Sequence, residues 1–184
     1  MPRRIFVFET PDRFVPGTVG EPGDRTFFLQ VRKQAAVISV ALEKVQVAAL
    51  AERLGILLDE LDRRGVEVPP EPAGAQRDTE PLDEPLMELF RVGTMALSWD
   101  GERERVLVET RETTDDEEEA LEVADDEDGP DLVRVHLTLE EARAFIERAE
   151  RIVAAGRLPC PLCGQPLDPR GHLCPRRNGT SYLN

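Results

Sequence analysis

Runs of apolar residues predict several strands in the first part of the chain. Residues 4–9 read Arg-Ile-Phe-Val-Phe-Glu and predict a buried strand. Residues 26–31 and 36–40 are rich in Phe, Val and Ile and predict two more strands, joined by a short hairpin at Arg32-Lys33-Gln34. Between the first two strands, three prolines and three glycines in residues 11–23 predict a loop.

Two helices are predicted from apolar residues that recur three and four positions apart. The first covers about residues 43–64 and ends before Gly65; the second covers about residues 139–155 and ends before Gly156. Thr138 and Glu141 form a capping-box pattern at the start of the second helix. The two apolar stripes are Val47, Leu50, Leu54, Leu57, Leu58 and Leu61, and Ala142, Phe145, Ile146, Ala149, Ile152 and Val153.

The second half of the chain repeats the order of elements found in the first half. Residues 66–85 contain five prolines and no periodicity, which predicts a linker or mobile loop. Strands are then expected at 89–97, 105–109 and 132–137, with a turn at residues 99–102. The helical stripes superpose at an offset of 95 residues, although any two amphipathic helices can be aligned in this way.

These elements predict an α+β fold. We expect two β-β-β-α repeats, at about residues 4–65 and 86–156, which form a mainly antiparallel sheet body over residues 1–156. The linker at about 66–85 separates the repeats. A tail at residues 157–184 follows the body.

Charge restricts the classes of partner. The formal net charge is −14 and the sequence pI is about 4.6, so the body repels nucleic acids and anionic lipids. No apolar run approaches the roughly 20 residues of a membrane span, and we expect a cytoplasmic protein with no membrane partner. The acidic run at 115–128 is typical of a solvated loop and does not match a calcium-binding loop.

All three cysteines lie in the tail, beside a histidine. The spacing Cys160-x-x-Cys163, followed by His172-x-Cys174, predicts one zinc ion held by three thiolates and one imidazole. Such a tetrahedron has no open position, so the predicted zinc is structural. The alternatives are a redox Cys-x-x-Cys pair and three thiols without a ligand. The prolines around the pair argue against the helix on which redox pairs lie.

Catalytic patterns are scarce, and we assign no catalytic residue and no cofactor-binding residue. With His172 on the metal, His136 is the one histidine left as a general base, and it lies in a predicted strand. A hydrolase or small-ligand enzyme would need a site between the repeats, near His136 or near Trp99 and Asp100. A nucleic-acid regulator would instead use the basic tail, whose candidate residues are Arg157, Arg170, Arg176, Arg177 and Tyr182.

Three segments resemble an actinobacterial family, the domain of unknown function 3090. They are Cys-Pro-Leu-Cys-Gly-x-Pro-Leu-Asp-Pro-x-Gly-His-x-Cys-Pro-Arg-x-Asn-Gly at 160–179, Phe-Val-Pro-Gly-Thr-Val-Gly at 14–20 and Phe-Phe-Leu-Gln at 27–30. The resemblance covers nearly the whole chain. It implies a cytoplasmic bacterial protein and zinc ligation by Cys160, Cys163, His172 and Cys174, and it implies no activity.

The closed metal site and the missing catalytic motifs favour a non-enzymatic binding or adaptor protein. We expect its partner to be another protein rather than a nucleic acid. The enzyme and the nucleic-acid regulator described above remain the alternatives.

Overall fold

The computed structural model describes residues 3–114, 129–156, 159–165, 167 and 174–176. Within these residues the chain forms seven strands, two α-helices and one short 3-10 helix. The architecture is α+β. The strands are β1 (Ile5–Phe8), β2 (Arg13–Val19), β3 (Thr26–Lys33), β4 (Ala36–Leu42), β5 (Glu88–Asp100), β6 (Arg105–Glu112) and β7 (Leu132–Leu137). The helices are α1 (Lys44–Arg63) and α2 (Leu139–Ala154), and the 3-10 turn is Gly74–Gln76.

The strands make one sheet in the order β1-β7-β6-β5-β4-β3-β2. Strands β2, β3 and β4 form one antiparallel meander, and β5, β6 and β7 form another. Parallel pairing occurs in two places, between β1 and β7 and between β4 and β5. The predicted mainly antiparallel sheet is therefore confirmed. Strand β1 pairs with the second meander rather than with the half of the chain in which it lies.

The predicted duplication stays a prediction. Each three-stranded meander is followed by a helix, but the first half also contains β1, so its order is β-β-β-β-α against β-β-β-α in the second. The two meanders join through β4, the last strand of the first, and β5, the first strand of the second. They are not related by a two-fold axis. A shared order of elements is common among unrelated α+β units, and by itself it does not establish a repeat.

Both helices cover the same face of the sheet, and the core lies between them and the strands. The predicted helical stripes are the buried ones: Val47, Leu54 and Ala149 are fully enclosed. Phe14 of β2 stacks on Phe145 of α2 with ring centroids 5.1 Å apart. The capping box of α2 is confirmed, and α1 begins with a second one in which the Gln46 side chain accepts from the Glu43 N–H at 2.7 Å.

Strand β2 was predicted as loop, because Pro16 and Gly17 interrupt its pattern. The prediction failed since β2 is an edge strand that pairs with β3 alone, and an edge strand tolerates proline. Gly17 is needed for a different reason. A Cβ there would lie 2.5 Å from side-chain atoms of Leu82, so the missing side chain lets residues near 82 pack directly on the strand.

Residues 66–85, the connecting segment, link α1 to β5 as predicted, and polar side chains of the body hold them in place. The amide of Gln30 pairs with the backbone of Asp83 in both directions, at 2.7 and 3.0 Å. Arg13 donates to the carboxylate of Asp78 at 2.7 and 2.9 Å and to the carbonyl of Pro81 at 2.9 Å. The segment has few hydrogen bonds of its own, so these side chains satisfy its backbone.

Arg148 of α2 is the centre of this attachment. Its guanidinium donates to the carbonyl oxygens of Pro16, Asp78 and Glu80 and to the carboxylate of Asp78, all at 2.8–2.9 Å. Burial lowers the pKa of Arg148, while the hydrogen bond from Arg13 lowers the pKa of Asp78. One buried cation thus connects α2, β2 and the connecting segment.

The pairing of β4 with β5 is short. It consists of Ser39 with Glu88 and Ala41 with Arg91, with an irregularity between them. Strand β4 ends at Leu42 and the chain turns into α1, whereas β5 runs on to Asp100. Beyond Arg91, β6 is the only strand within the described residues that pairs with β5.

Replacing Arg148 by Ala should destabilise the fold by about 3–5 kcal/mol, because the carbonyl oxygens of Pro16, Asp78 and Glu80 then lose their buried donor and the Asp78 carboxylate loses one of its two cations. Urea unfolding followed by circular dichroism measures the change. The matched control is Glu150→Ala on the same helix, an exposed position where we expect a change within about 0.5 kcal/mol. A loss below about 1 kcal/mol for Arg148→Ala would show that the cluster does not hold the segment.

Candidate metal centre

The described part of the tail brings three sulfurs together. The Sγ atoms of Cys160, Cys163 and Cys174 all lie within 4.8 Å of one another, and those of Cys160 and Cys174 are 3.9 Å apart. Cys160 and Cys174 are buried, and Cys163 is half-buried. No disulfide joins the three thiols. Cys163 and Cys174 lie eleven positions apart in the sequence, and their sulfurs converge on one point.

A tight turn aims the first two cysteines at that point. The N–H of Gly164 donates to the carbonyl of Cys160 at 2.8 Å, and the N–H of Cys160 donates to the carbonyl of Gln165 at 2.7 Å. Gly164 adopts a φ of 74°, in the left-handed region that favours glycine. The Pro and Gly residues of Cys-Pro-Leu-Cys-Gly at 160–164 suit such a turn.

The turn also changes the acidity of the thiols. Backbone N–H groups of Leu162 and Cys163 point at the sulfur of Cys160 and lower its pKa to about 6. The N–H of Gln165 lowers the pKa of Cys163, but burial and the sulfurs of Cys160 and Cys174 outweigh it, so that this pKa is raised. The Cys160 thiol is thus ionised at neutral pH, and a bound cation would be needed to ionise Cys163 beside it.

The spacing of the sulfurs fits a tetrahedral metal. With metal–sulfur bonds of about 2.3 Å, two thiolates of a zinc tetrahedron lie about 3.8 Å apart. The observed 3.9 Å between Cys160 and Cys174 matches this edge, and the remaining separations need only small adjustments. Three close cysteines are therefore able to bind a metal ion. His172, the predicted fourth ligand, lies outside the described residues.

His136 is a buried residue on β7 and does not border either of the two larger surface depressions. Within the described part of the chain its Nδ1 atom has no hydrogen-bond partner. Desolvation is the largest cause that lowers the pKa of His136, and the charges of Arg103 and Arg134 add to it against Glu9 and Asp100. The neutral imidazole is favoured, and His136 lies in the strand that the sequence predicted at 132–137.

A buried carboxylate of the β6–β7 ladder is engaged by two arginines. Glu109 lies opposite Arg134 in the β6–β7 ladder, and both of its oxygens accept from guanidinium groups. Arg111 holds one oxygen at 2.7–2.8 Å and Arg134 holds the other at the same distances. A carboxylate held in this way stabilises the sheet and has no lone pair directed at a substrate.

The sequence interpretation missed two features of the structure. The first is the Arg148–Asp78 cluster, whose residues lie in a helix and in a segment predicted to be mobile. The second is a groove of about 910 Å³ between α1 and β5. The internal cavity beside Phe14 and Val108 holds only about 10 Å³, which is too small for an organic ligand.

The acidic run 115–128 and the tail residues Arg157, Arg170, Arg177 and Tyr182 lie outside the described residues.

Replacing His136 by Gln should reduce the pH dependence of stability near neutrality. The pKa of His136 is lower in the folded state than its ordinary value of 6.5, so the unfolded chain takes up this proton first as the pH falls. Stability is therefore lost as the pH drops through about 6.5 in the wild type.

The free energy of unfolding, measured by urea titration at a series of pH values from about 7.5 to 5.5, tests this. The difference in the free energy of unfolding between wild type and His136→Gln should shrink as the pH falls toward about 5.5. A difference that stays constant over this range would contradict a lowered pKa.

No helix within the described residues is long and apolar enough to cross a membrane. No curated protein sequence and no solved structure matches the chain. A family model with the description "Protein of unknown function (DUF3090)" matches residues 6–174, which include all three cysteines. The chain therefore belongs to the DUF3090 family.

Proposed function

We propose that this protein is a non-enzymatic binding or adaptor protein whose C-terminal tail folds around one structural zinc ion. The observation that carries the proposal is the convergence of the Cys160, Cys163 and Cys174 sulfurs within 4.8 Å. His172 is the proposed fourth ligand, because it lies two positions before Cys174 and supplies the imidazole of a Cys₃His set.

The donor set favours zinc over other metals. Three thiolates and one imidazole are soft and borderline ligands, which suit zinc and exclude calcium and magnesium. With four protein ligands the ion has no position left for water or substrate, so its role is structural. The tail is short and rich in proline, so the metal supplies the folding energy that a hydrophobic core would otherwise supply.

A binding role is supported by the rest of the chain. The body is an α+β frame from a strongly acidic chain, and its lone non-tail histidine is buried in a strand. We propose a protein as the partner; the acidic body argues against nucleic acid.

The metal content of gently purified protein tests the structural site. We expect about one zinc ion per chain by elemental analysis, and its release when the pH is lowered, because the thiolates and the neutral imidazole then take up protons and lose the metal. Cys160→Ser and His172→Ala should each remove most of the bound zinc and make the tail sensitive to proteases.

The matched control for the histidine is His136→Ala, which removes the other histidine of the chain and should leave the zinc content unchanged. If His172→Ala retains full zinc, the proposed ligand set is wrong. If wild-type protein purified without chelators contains no zinc, and forms a Cys160–Cys163 disulfide instead, the structural metal site is refuted.

A further inference from the structure

Strand β5 has an open edge beside α1. Its ladder with β6 continues from Val92 to Asp100, whereas its ladder with β4 stops at Arg91. In an antiparallel ladder every second residue directs its N–H and C=O away from the partner strand. Every second residue from 94 to 100 thus directs its N–H and C=O groups to the side of β5 opposite β6. On that side β4 has already ended, and no described strand pairs with these residues.

The start of this edge is already satisfied by a side chain. The amide of Gln46, in the first turn of α1, donates to the carbonyl of Val92 at 3.1 Å and to that of Gly93 at 3.4 Å. These carbonyls point toward α1 and accept hydrogen bonds there. The next residues of β5 lie along the groove and have no such side chain among the described residues.

The groove beside the edge has one wall of helix and one wall of strand. It is lined by α1 between Ala49 and Glu60 and by β5 at Met95, Ala96 and Leu97. Ile56 projects from the helix wall and is 56% exposed. The helix wall is about 17 Å long, the length of about five extended residues. An apolar side chain and an open strand edge thus face one channel of strand length.

We propose that this groove binds an extended peptide segment of a partner protein, which adds to the edge of β5 as a strand and carries apolar and basic side chains in alternation. The inference rests on the proposed binding role and names the chemistry of the partner. Backbone hydrogen bonds to β5 supply affinity that does not depend on sequence, and alternate side chains supply specificity.

Charge decides the polarity of the segment. Glu52 and Glu60 line the groove, and Asp59, Glu71 and Glu150 line a depression of about 310 Å³ that adjoins it. Only two arginines stand against these five acids in the two linings. The chain as a whole carries a net charge of −14. Lysine or arginine side chains on the bound segment would therefore be attracted, and acidic ones repelled.

Charge also favours a partner's segment over a second copy of this chain. Each copy carries a net charge of −14, and two copies joined through this groove would bring Glu52 and Glu60 of one beside those of the other. The occupant is therefore a basic extended segment of another protein.

A labelled peptide of about six residues, Lys-Val-Arg-Val-Lys-Val, tests the proposal by fluorescence anisotropy with the zinc-loaded full chain. We expect saturable binding that weakens as salt is added. Two matched peptides should fail: one with Glu in place of each basic residue, and one with N-methyl groups on alternate residues, which removes backbone donors and leaves the side chains intact.

The protein variants place the binding in the groove. Ile56→Lys should weaken peptide binding by about tenfold or more, because it replaces an apolar contact with a like charge. Val45→Lys is the matched control: Val45 is also on α1 and 73% exposed, it lines neither depression, and we expect a change within about twofold. Both sites are exposed, and circular dichroism checks that both variants fold.

Each other outcome overturns the inference. Absence of binding to the basic peptide, equal binding of the N-methylated peptide, or equal binding by Ile56→Lys would each refute strand addition in the groove. A concentration-dependent dimer that Ile56→Lys dissociates would assign the groove to a second copy. The zinc content of the same samples is measured in parallel, so that zinc-loaded protein that binds no peptide refutes the groove and leaves the metal site standing.

Discussion

The short parallel ladder between β4 and β5 is the constraint on which the rest of this structure depends. Two residue pairs, Ser39 with Glu88 and Ala41 with Arg91, join two antiparallel meanders into one sheet. Because these strands are parallel, the chain must travel back along the sheet between them, and α1 with the connecting segment makes that crossing. The place where the ladder stops is also the place where β5 acquires its open edge.

The crossing explains the buried arginine cluster. A segment rich in proline cannot satisfy its backbone by a helix or a ladder, and a buried carbonyl without a donor is costly. The side chains of Arg13 and Arg148 therefore donate to the carbonyls of Asp78, Glu80 and Pro81, with the carboxylate of Asp78 between the two cations. Polar side chains replace, for this segment, the hydrogen bonds that regular structure gives elsewhere.

Much of the fold could be predicted because local patterns decide it. The stripe from Val47 to Leu61 and the capping box at Thr138 are sufficient to locate both helices, and they lie where predicted. Strand β2 was missed because its tolerance of Pro16 depends on its being an edge, which is a property of the whole sheet. The attachment of the connecting segment was missed for a similar reason, since Asp78 and Arg148 are 70 residues apart.

The candidate sites were likewise predictable only in part. A spacing of cysteines is local chemistry, and Cys160, Cys163 and Cys174 do converge. The groove depends on where two strands cease to pair, which no local pattern of apolar residues records. Ile56 and Met95, which line it, read in the sequence as ordinary members of amphipathic elements. A cluster of cysteines able to bind a metal ion was thus predictable, and the surface that we propose for the partner was not.

The most direct test of the open edge is amide hydrogen exchange, followed by NMR, in the full chain without any peptide. We expect every second amide of residues 94–100 to exchange at least about 100-fold faster than the amides of β3, which has a partner strand on both sides. Uniform protection of residues 94–100 would contradict this expectation, since it would mean that the edge of β5 is already covered.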